Sequence, residues 1–159
     1  MKTDRGGYRM LRHEQRMPQT QDAYRPEARI PDPAECKSCG AIHRDGRWTW
    51  DGPKDKDAAL VTCPACERIA DDMPGGYVTL RGAFFRDHRD EVLALVRARE
   101  THAKEEHPLQ RIMGVRDQGA DTLVTTTDPH LARGIGHALH DAFKGDVTLR
   151  YNRSENLVR

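Results

Sequence analysis

Two Cys-x-x-Cys pairs, Cys36-Lys37-Ser38-Cys39-Gly40 and Cys63-Pro64-Ala65-Cys66, constrain this chain more than any other feature, and they hold all four of its cysteines. Each pair folds into a knuckle that aims two thiolates at one point, and two knuckles complete a tetrahedral shell of four sulfurs. Such a shell suits Zn2+ or iron, and with no open position it is structural. We read Cys36, Cys39, Cys63 and Cys66 as the ligands of one Zn2+, with Gly40 supplying the positive-φ turn behind the first pair. A redox dithiol is the competing use of a lone pair, and two pairs in one short stretch argue against it. His43 is the alternative donor in place of one cysteine.

Composition explains why a metal is needed. Hydrophobic residues make up 36% of the 159 positions and charged residues 32%. An ordinary globular domain is roughly 45–50% apolar, glycine included, and about 25% charged. Part of this chain is therefore extended, or held by something other than a core. The net charge is only +1, yet six of the 26 basic residues are lysine and the other 20 arginine. A GC-rich genome would give that bias; so would selection for planar donors to phosphates and bases. No apolar run approaches the ~20 residues of a membrane span. Residues 1–30 lack the apolar stretch of a signal peptide. The expected location is cytoplasmic, where reduced cysteines favour metal over disulfide.

Three regions follow from the patterning. Residues 1–33 read as an extended basic arm carrying Arg5, Arg9, Arg12, Arg16, Arg25 and Arg29, with Tyr8 and Tyr24 interleaved and no helix or strand period. Residues 34–73 read as a four-cysteine zinc ribbon, with strands at 47–50 and 59–62 forming a hairpin around the turn 51–53. Residues 74–159 read as an α+β domain of order βαββαβ: strand 76–82, helix 84–106, strands 111–116 and 121–127 joined at 117–120, a second helix, and strand 146–152. This is the split βαβ (ferredoxin-like) arrangement, two helices on one face of a four-stranded antiparallel sheet. The first helix carries Phe85, Val92, Leu95, Val96 and Arg99 near one stripe, with a Glu100–Lys104 ion pair on its surface. Asp128 caps the second, Pro129 fits its first position, and Gly145 fits a left-handed stop. Leu131, Ile135, Leu139 and Phe143 form its buried stripe, and Gly134 and Gly136 suit a helix lying close on a sheet.

Other residues invite functional readings. Trp48 and Trp50 alternate on one strand and share a face, either as a small core packed on the knuckles or as a stacking platform for an unpaired base. His130, His137 and His140 fall on the second helix, and His102 and His107 close to the end of the first. No carboxylate or cysteine completes a triad with them, and no phosphate-binding or dinucleotide loop is present. An enzyme is not expected, nor a small-molecule substrate. At the C-terminal end Arg150, Tyr151, Asn152 and Arg153 can pair with phosphates and stack on bases, or form an ordinary polar tail.

From Cys63 onward the chain resembles the eukaryotic large-ribosomal-subunit export adaptor family, named for nonsense-mediated decay, and its archaeal relatives. The matching positions are Cys63-Pro64-Ala65-Cys66-Glu67-Arg68, the strand Tyr77 to Arg81, the strand–helix unit 122–143, and Tyr151-Asn152-Arg153-Ser154-Glu155-Asn156. The family carries more Cys-x-x-Cys pairs and continues into a β-barrel domain and, in eukaryotes, an export-signal tail, so nuclear export is not carried over. The chain reads as a short bacterial relative reduced to the ribosome-binding part. The resemblance implies binding to the large ribosomal subunit on the face where tRNAs sit. The expected function is a hibernation or translation-silencing factor; a large-subunit assembly factor, or a zinc-ribbon adaptor in transcription, is the alternative. The expected rRNA contacts are the six arm arginines with Arg47, Trp48, Arg150, Tyr151 and Arg153.

Overall fold

The computed structural model describes residues 30–52, 56–145, 151–152 and 157–158. The arm arginines Arg5, Arg9, Arg12, Arg16, Arg25 and Arg29 lie outside the described residues, as do Arg150, Arg153 and most of the strand expected at 146–152.

Asp45 and Gly46 take positive φ values of 54° and 75°, the backbone of a two-residue hairpin turn. They join β2 (Ile42–Arg44) to β3 (Arg47–Thr49), with His43 opposite Trp48. The first sheet is completed by β1 (Ala34–Cys36) and β4 (Ala59–Val61), in the order β3-β2-β1-β4. The strand at 59–61 therefore does not pair with 47–49 as a hairpin. It lies parallel to β1, with Cys36 opposite Val61. The Asp-Gly turn claims β3 for β2, and β4 finds its partner in the strand leading to the first knuckle. Because β1 and β4 run the same way, both cysteine pairs emerge at the same end of the sheet.

The second pair opens a helix that the sequence patterning does not anticipate, α1 (Pro64–Asp71). Cys63 is its N-cap: the Sγ accepts from the Cys66 amide at 3.4 Å, and Pro64 occupies the first turn. A sulfur of the second Cys-x-x-Cys pair thus also satisfies a free N–H of a helix start. Asp72, at φ 51°, ends the helix.

Beyond it come β5 (Gly76–Leu80), α2 (Ala83–Asp87), α3 (Arg89–Glu106), β6 (Ile112–Gln118), β7 (Asp121–Thr126), α4 (Pro129–Phe143), β8 (Tyr151–Asn152) and β9 (Leu157–Val158). The second sheet has the order β6-β7-β5-β9-β8. Its β5–β7 and β6–β7 pairs are antiparallel, but β9 meets β5 in parallel at Gly76 and Val158. The expected four-stranded antiparallel sheet is thus a five-stranded mixed one. Strand β8 pairs antiparallel with β9, and β9 takes the place beside β5.

The expected single helix at 84–106 is two. His88 sits at φ −123°, ψ 29° between α2 and α3. Its Nδ1 lies 3.1 Å from the Phe84 carbonyl and its ring stacks on Phe84 at 4.1 Å, so the side chain competes for a helix acceptor at the break. The core of this domain is Leu80, Phe85, Val92, Val96, Ala103, Val124, Leu131 and Ile135. Leu95 is only half-buried, and Leu93 packs on the core in its stead. Glu100 accepts from the Ile112 amide rather than pairing with Lys104, whose ammonium lies over the Trp50 ring.

Asp128 caps α4 through the His130 amide at 2.6 Å, while the left-handed stop falls on Lys144, at φ 57°, one residue before Gly145. Gly134 faces α3, where a Cβ would come 3.3 Å from Arg99 Nε. The glycine that lets α4 lie close on the sheet belongs to the strand: a Cβ at Gly76 would sit 2.8 Å from Ala132 Cβ and 2.6 Å from Thr126 Oγ1. Among the described residues no helix is long and apolar enough to cross a membrane.

Candidate metal centre

The two knuckles are shaped by backbone hydrogen bonds. The Gly40 amide donates to the Cys36 carbonyl at 2.9 Å, with Gly40 at φ 82°, and the Cys36 amide donates to the Ala41 carbonyl at 2.8 Å. The Lys37 amide donates to Val61 at 2.8 Å, which ties the first knuckle to the strand leading into the second. The Sγ atoms of Cys36 and Cys66 are 3.8 Å apart, as are those of Cys39 and Cys63, and all four lie within 4.8 Å of one another. A tetrahedron with metal–sulfur bonds of about 2.3 Å has edges of about 3.8 Å. Two of the sulfur–sulfur edges match that value, and the four cysteines could hold a metal ion of that size. They are the only such group of three or more His, Cys, Asp or Glu side chains among the described residues. His43 is not part of it: its Nδ1 lies 3.1 Å from the Pro31 carbonyl, and its ring packs on Trp48 with centroids 5.1 Å apart.

A residue from the other domain completes the site. Arg111, in the connection between α3 and β6, is 7% exposed. Its Nη1 donates to Cys66 Sγ at 3.2 Å, and its Nη2 to Cys39 Sγ at 3.0 Å and Cys63 Sγ at 3.6 Å. The Nε donates to the Pro108 carbonyl at 2.8 Å, so the guanidinium is held from behind as it reaches the sulfurs. Cys36, which Arg111 does not reach, accepts from the Cys63 amide at 3.3 Å. Leu109, Trp48 and Trp50 pack around the cluster. The Trp50 indole N–H donates to the Lys104 carbonyl at 2.6 Å, and its ring lies 5.8 Å from the Arg111 guanidinium carbon. Both tryptophans thus pack on the cysteines, and Trp50 joins them to the end of α3.

Electrostatics set Cys36 apart from Cys63 and Cys66. Burial would push Cys36 up, but the N–H groups of Cys63, Cys39 and Ser38 outweigh it and bring the thiol down to about 6. Burial pushes Cys63 and Cys66 above the ordinary thiol range, against the pull of the Cys66 amide on the first and of Arg111 on the second. Burial also works against the Arg111 charge, yet the sulfurs of Cys66 and Cys39 hold it firmly protonated. A cation at the centre favours all four thiolates together.

The remaining candidates are scattered. Arg47 is exposed at the start of β3, Trp48 is half-buried beside His43, and Tyr151 begins β8. His140 Nδ1 lies 2.7 Å from the Gly145 carbonyl at the end of α4. Nothing in the sequence marks Arg111 as part of the centre. It lies 72 positions from Cys39 and 45 from Cys66 and belongs to no motif. Comparison with family models, with curated proteins and with solved structures gives no match to this chain.

Proposed function

We propose that the bound ion is zinc and that the chain is a cytoplasmic ribosome-associated factor, which grips large-subunit rRNA near the tRNA sites and silences translation. The observation that carries this reading is the completeness of the sulfur shell. Four donors fit a tetrahedron, and peptide N–H groups and Arg111 occupy the sulfurs from outside. No position remains for a substrate, so the centre contributes a rigid surface rather than a reaction. Redox-inert zinc suits that role better than iron.

The chemistry offered around this framework suits RNA. Arginine outnumbers lysine 20 to six in the sequence, and guanidinium groups pair with phosphates and stack on unpaired bases. Arg47 stands exposed on the edge strand β3. By strand register, Tyr77, Thr79, Leu123 and Arg116 share one sheet face, opposite the face that carries Val78, Leu80 and Val124 into the helix-packed core. We read β5 to β7 with α3 and α4 as a split βαβ unit, its sheet extended by β9 and β8. The resemblance to the large-subunit export adaptor family turns this RNA chemistry toward the ribosome.

The test is sedimentation of the tagged native protein through sucrose, from growing and from starved cells, with the metal content of the purified chain measured alongside. Migration with whole ribosomes, enriched on starvation, and one zinc per chain are the expected results. Migration with free large subunits alone would reassign the chain to subunit assembly. A protein that stays at the top of the gradient at low salt refutes the ribosomal reading and favours a protein or transcription adaptor.

A further inference from the structure

We propose that Arg111 is the charge partner of the metal–thiolate centre, and the pin through which metal binding locks the cysteine module onto the sheet domain. This rests on the metal reading of the four cysteines and not on the ribosomal one.

Four thiolates around a divalent ion carry two negative charges in excess, and here they do so in a buried site. Cys36 and Cys63 are 1% and 0% exposed. Buried charge is tolerated where it is paired and hydrogen-bonded. Arg111 supplies both, through two nitrogens that address three sulfurs. The planar fork matters: Nη1 and Nη2 point into the cluster while Nε stays anchored on Pro108. A lysine ammonium at the end of a flexible stem cannot meet all of these partners at once. Groups hydrogen-bonded to metal ligands orient them and tune their hold on the ion.

The same residue is fixed to the sheet domain by its backbone. Its amide donates to Thr127 Oγ1 at 2.9 Å, and its carbonyl accepts from the Thr127 amide at 2.9 Å. Arg111 is thus bonded at one end to the residue following β7 and at the other to three sulfurs. Leu109 and the Trp50–Lys104 hydrogen bond extend the contact on either side. The ion would sit among the four sulfurs, which lie within 4.8 Å of one another, and hold them at the spacing that the guanidinium meets. Loss of the ion therefore frees the sulfurs to move apart, and the surface on which Arg111 is seated goes with them.

The experiment titrates Co2+ into the metal-free full chain and follows thiolate-to-cobalt absorption for wild type, Arg111→Met and Arg111→Lys. Amide hydrogen exchange over residues 109–115 is measured on loaded and stripped protein. We expect Arg111→Met to weaken Co2+ binding by about 10–100-fold, with Arg111→Lys recovering only part of the loss. We also expect the 109–115 amides to lose protection when the ion is stripped from wild type, and in Arg111→Met even at saturating Co2+. Equal Co2+ affinity in all three proteins overturns the role of Arg111 as charge partner. Should Arg111→Met fail to fold, the wild-type exchange decides: unchanged protection after stripping overturns the pin. Wild type that never develops the thiolate absorption refutes the metal reading itself, and this proposal with it.

Discussion

The two halves of this molecule are held together by different physics. In the sheet domain Leu80, Phe85, Val92, Val96, Val124, Leu131 and Ile135 meet in one cluster, and each large side chain contributes about 1.5–3 kcal/mol by leaving water. The buried centre of the cysteine module is Cys36, Ala41, Cys63 and Ala65. Those are small side chains with little area to remove from water, ringed by two half-buried tryptophans. Its three-residue strands gain little from register alone. Area sustains one half; in the other, four sulfurs converge on a point that could hold an ion. A short segment without enough apolar residues can thus still be given a fixed shape, provided something binds it.

Removing the ion proposed for the four cysteines should break the comparison open most visibly. Structural metal sites of this kind bind with on the order of 10 kcal/mol, which is folding energy for the module. The protein's two tryptophans, Trp48 and Trp50, both lie in that half. A strong chelator should therefore shift tryptophan fluorescence to that of solvent-exposed indole, while far-UV circular dichroism keeps most of the helical signal of α3 and α4. Simultaneous collapse of both signals would show that the halves do not have separate cores.

The opposite perturbation is smaller. Ile135 is fully buried on α4, and Ile135→Ala should cost about 2–5 kcal/mol through lost burial and the cavity left behind. The helical signal should melt earlier, while Co2+ absorption at room temperature is retained. Loss of the cobalt band in this variant would mean that the module borrows its shape from the sheet domain.

A still smaller effect is confined to the sheet domain. Burial, reinforced by Arg133 and opposed by Asp141, lowers the His137 pKa below its ordinary value of 6.5. The folded state then binds fewer protons than the unfolded chain in the window between the lowered value and 6.5. Stability is present above 6.5 and declines as pH falls through that window. The His137→Gln variant should flatten this slope in chemical denaturation between about pH 7 and 5. A slope unchanged by the substitution would assign it to another group.

The same contrast explains what could be read from the sequence. The cluster of four cysteines was legible because Cys-x-x-Cys spacing is local chemistry, and the α4 start because Asp128-Pro129 states its own cap. The order of strands and helices from 76 to 143 followed from period and punctuation. What resisted reading depends on distant partners or on side chains competing with backbone. Strands β1 and β2 are too short to alternate visibly, and β4 finds its parallel partner far back in the chain, Ala59 beside Ala34. The break at His88 turns on one imidazole finding a carbonyl. The stop at Lys144 moved off glycine because a non-glycine residue accepts φ 57° there. Arg111 was the least legible of all, since an arginine before a strand looks like any other until the sulfurs are placed beside it.

Arg111 also bears on how such a chain can evolve. A descendant that kept the sheet domain and discarded the cysteines would inherit an arginine aimed at sulfurs no longer there, behind a Leu109 with nothing to cover it. One that kept the cysteines and changed the sheet domain would lose the cation that attends them. Neither half carries this junction alone: the boundary near residue 74 separates two folds that share one guanidinium.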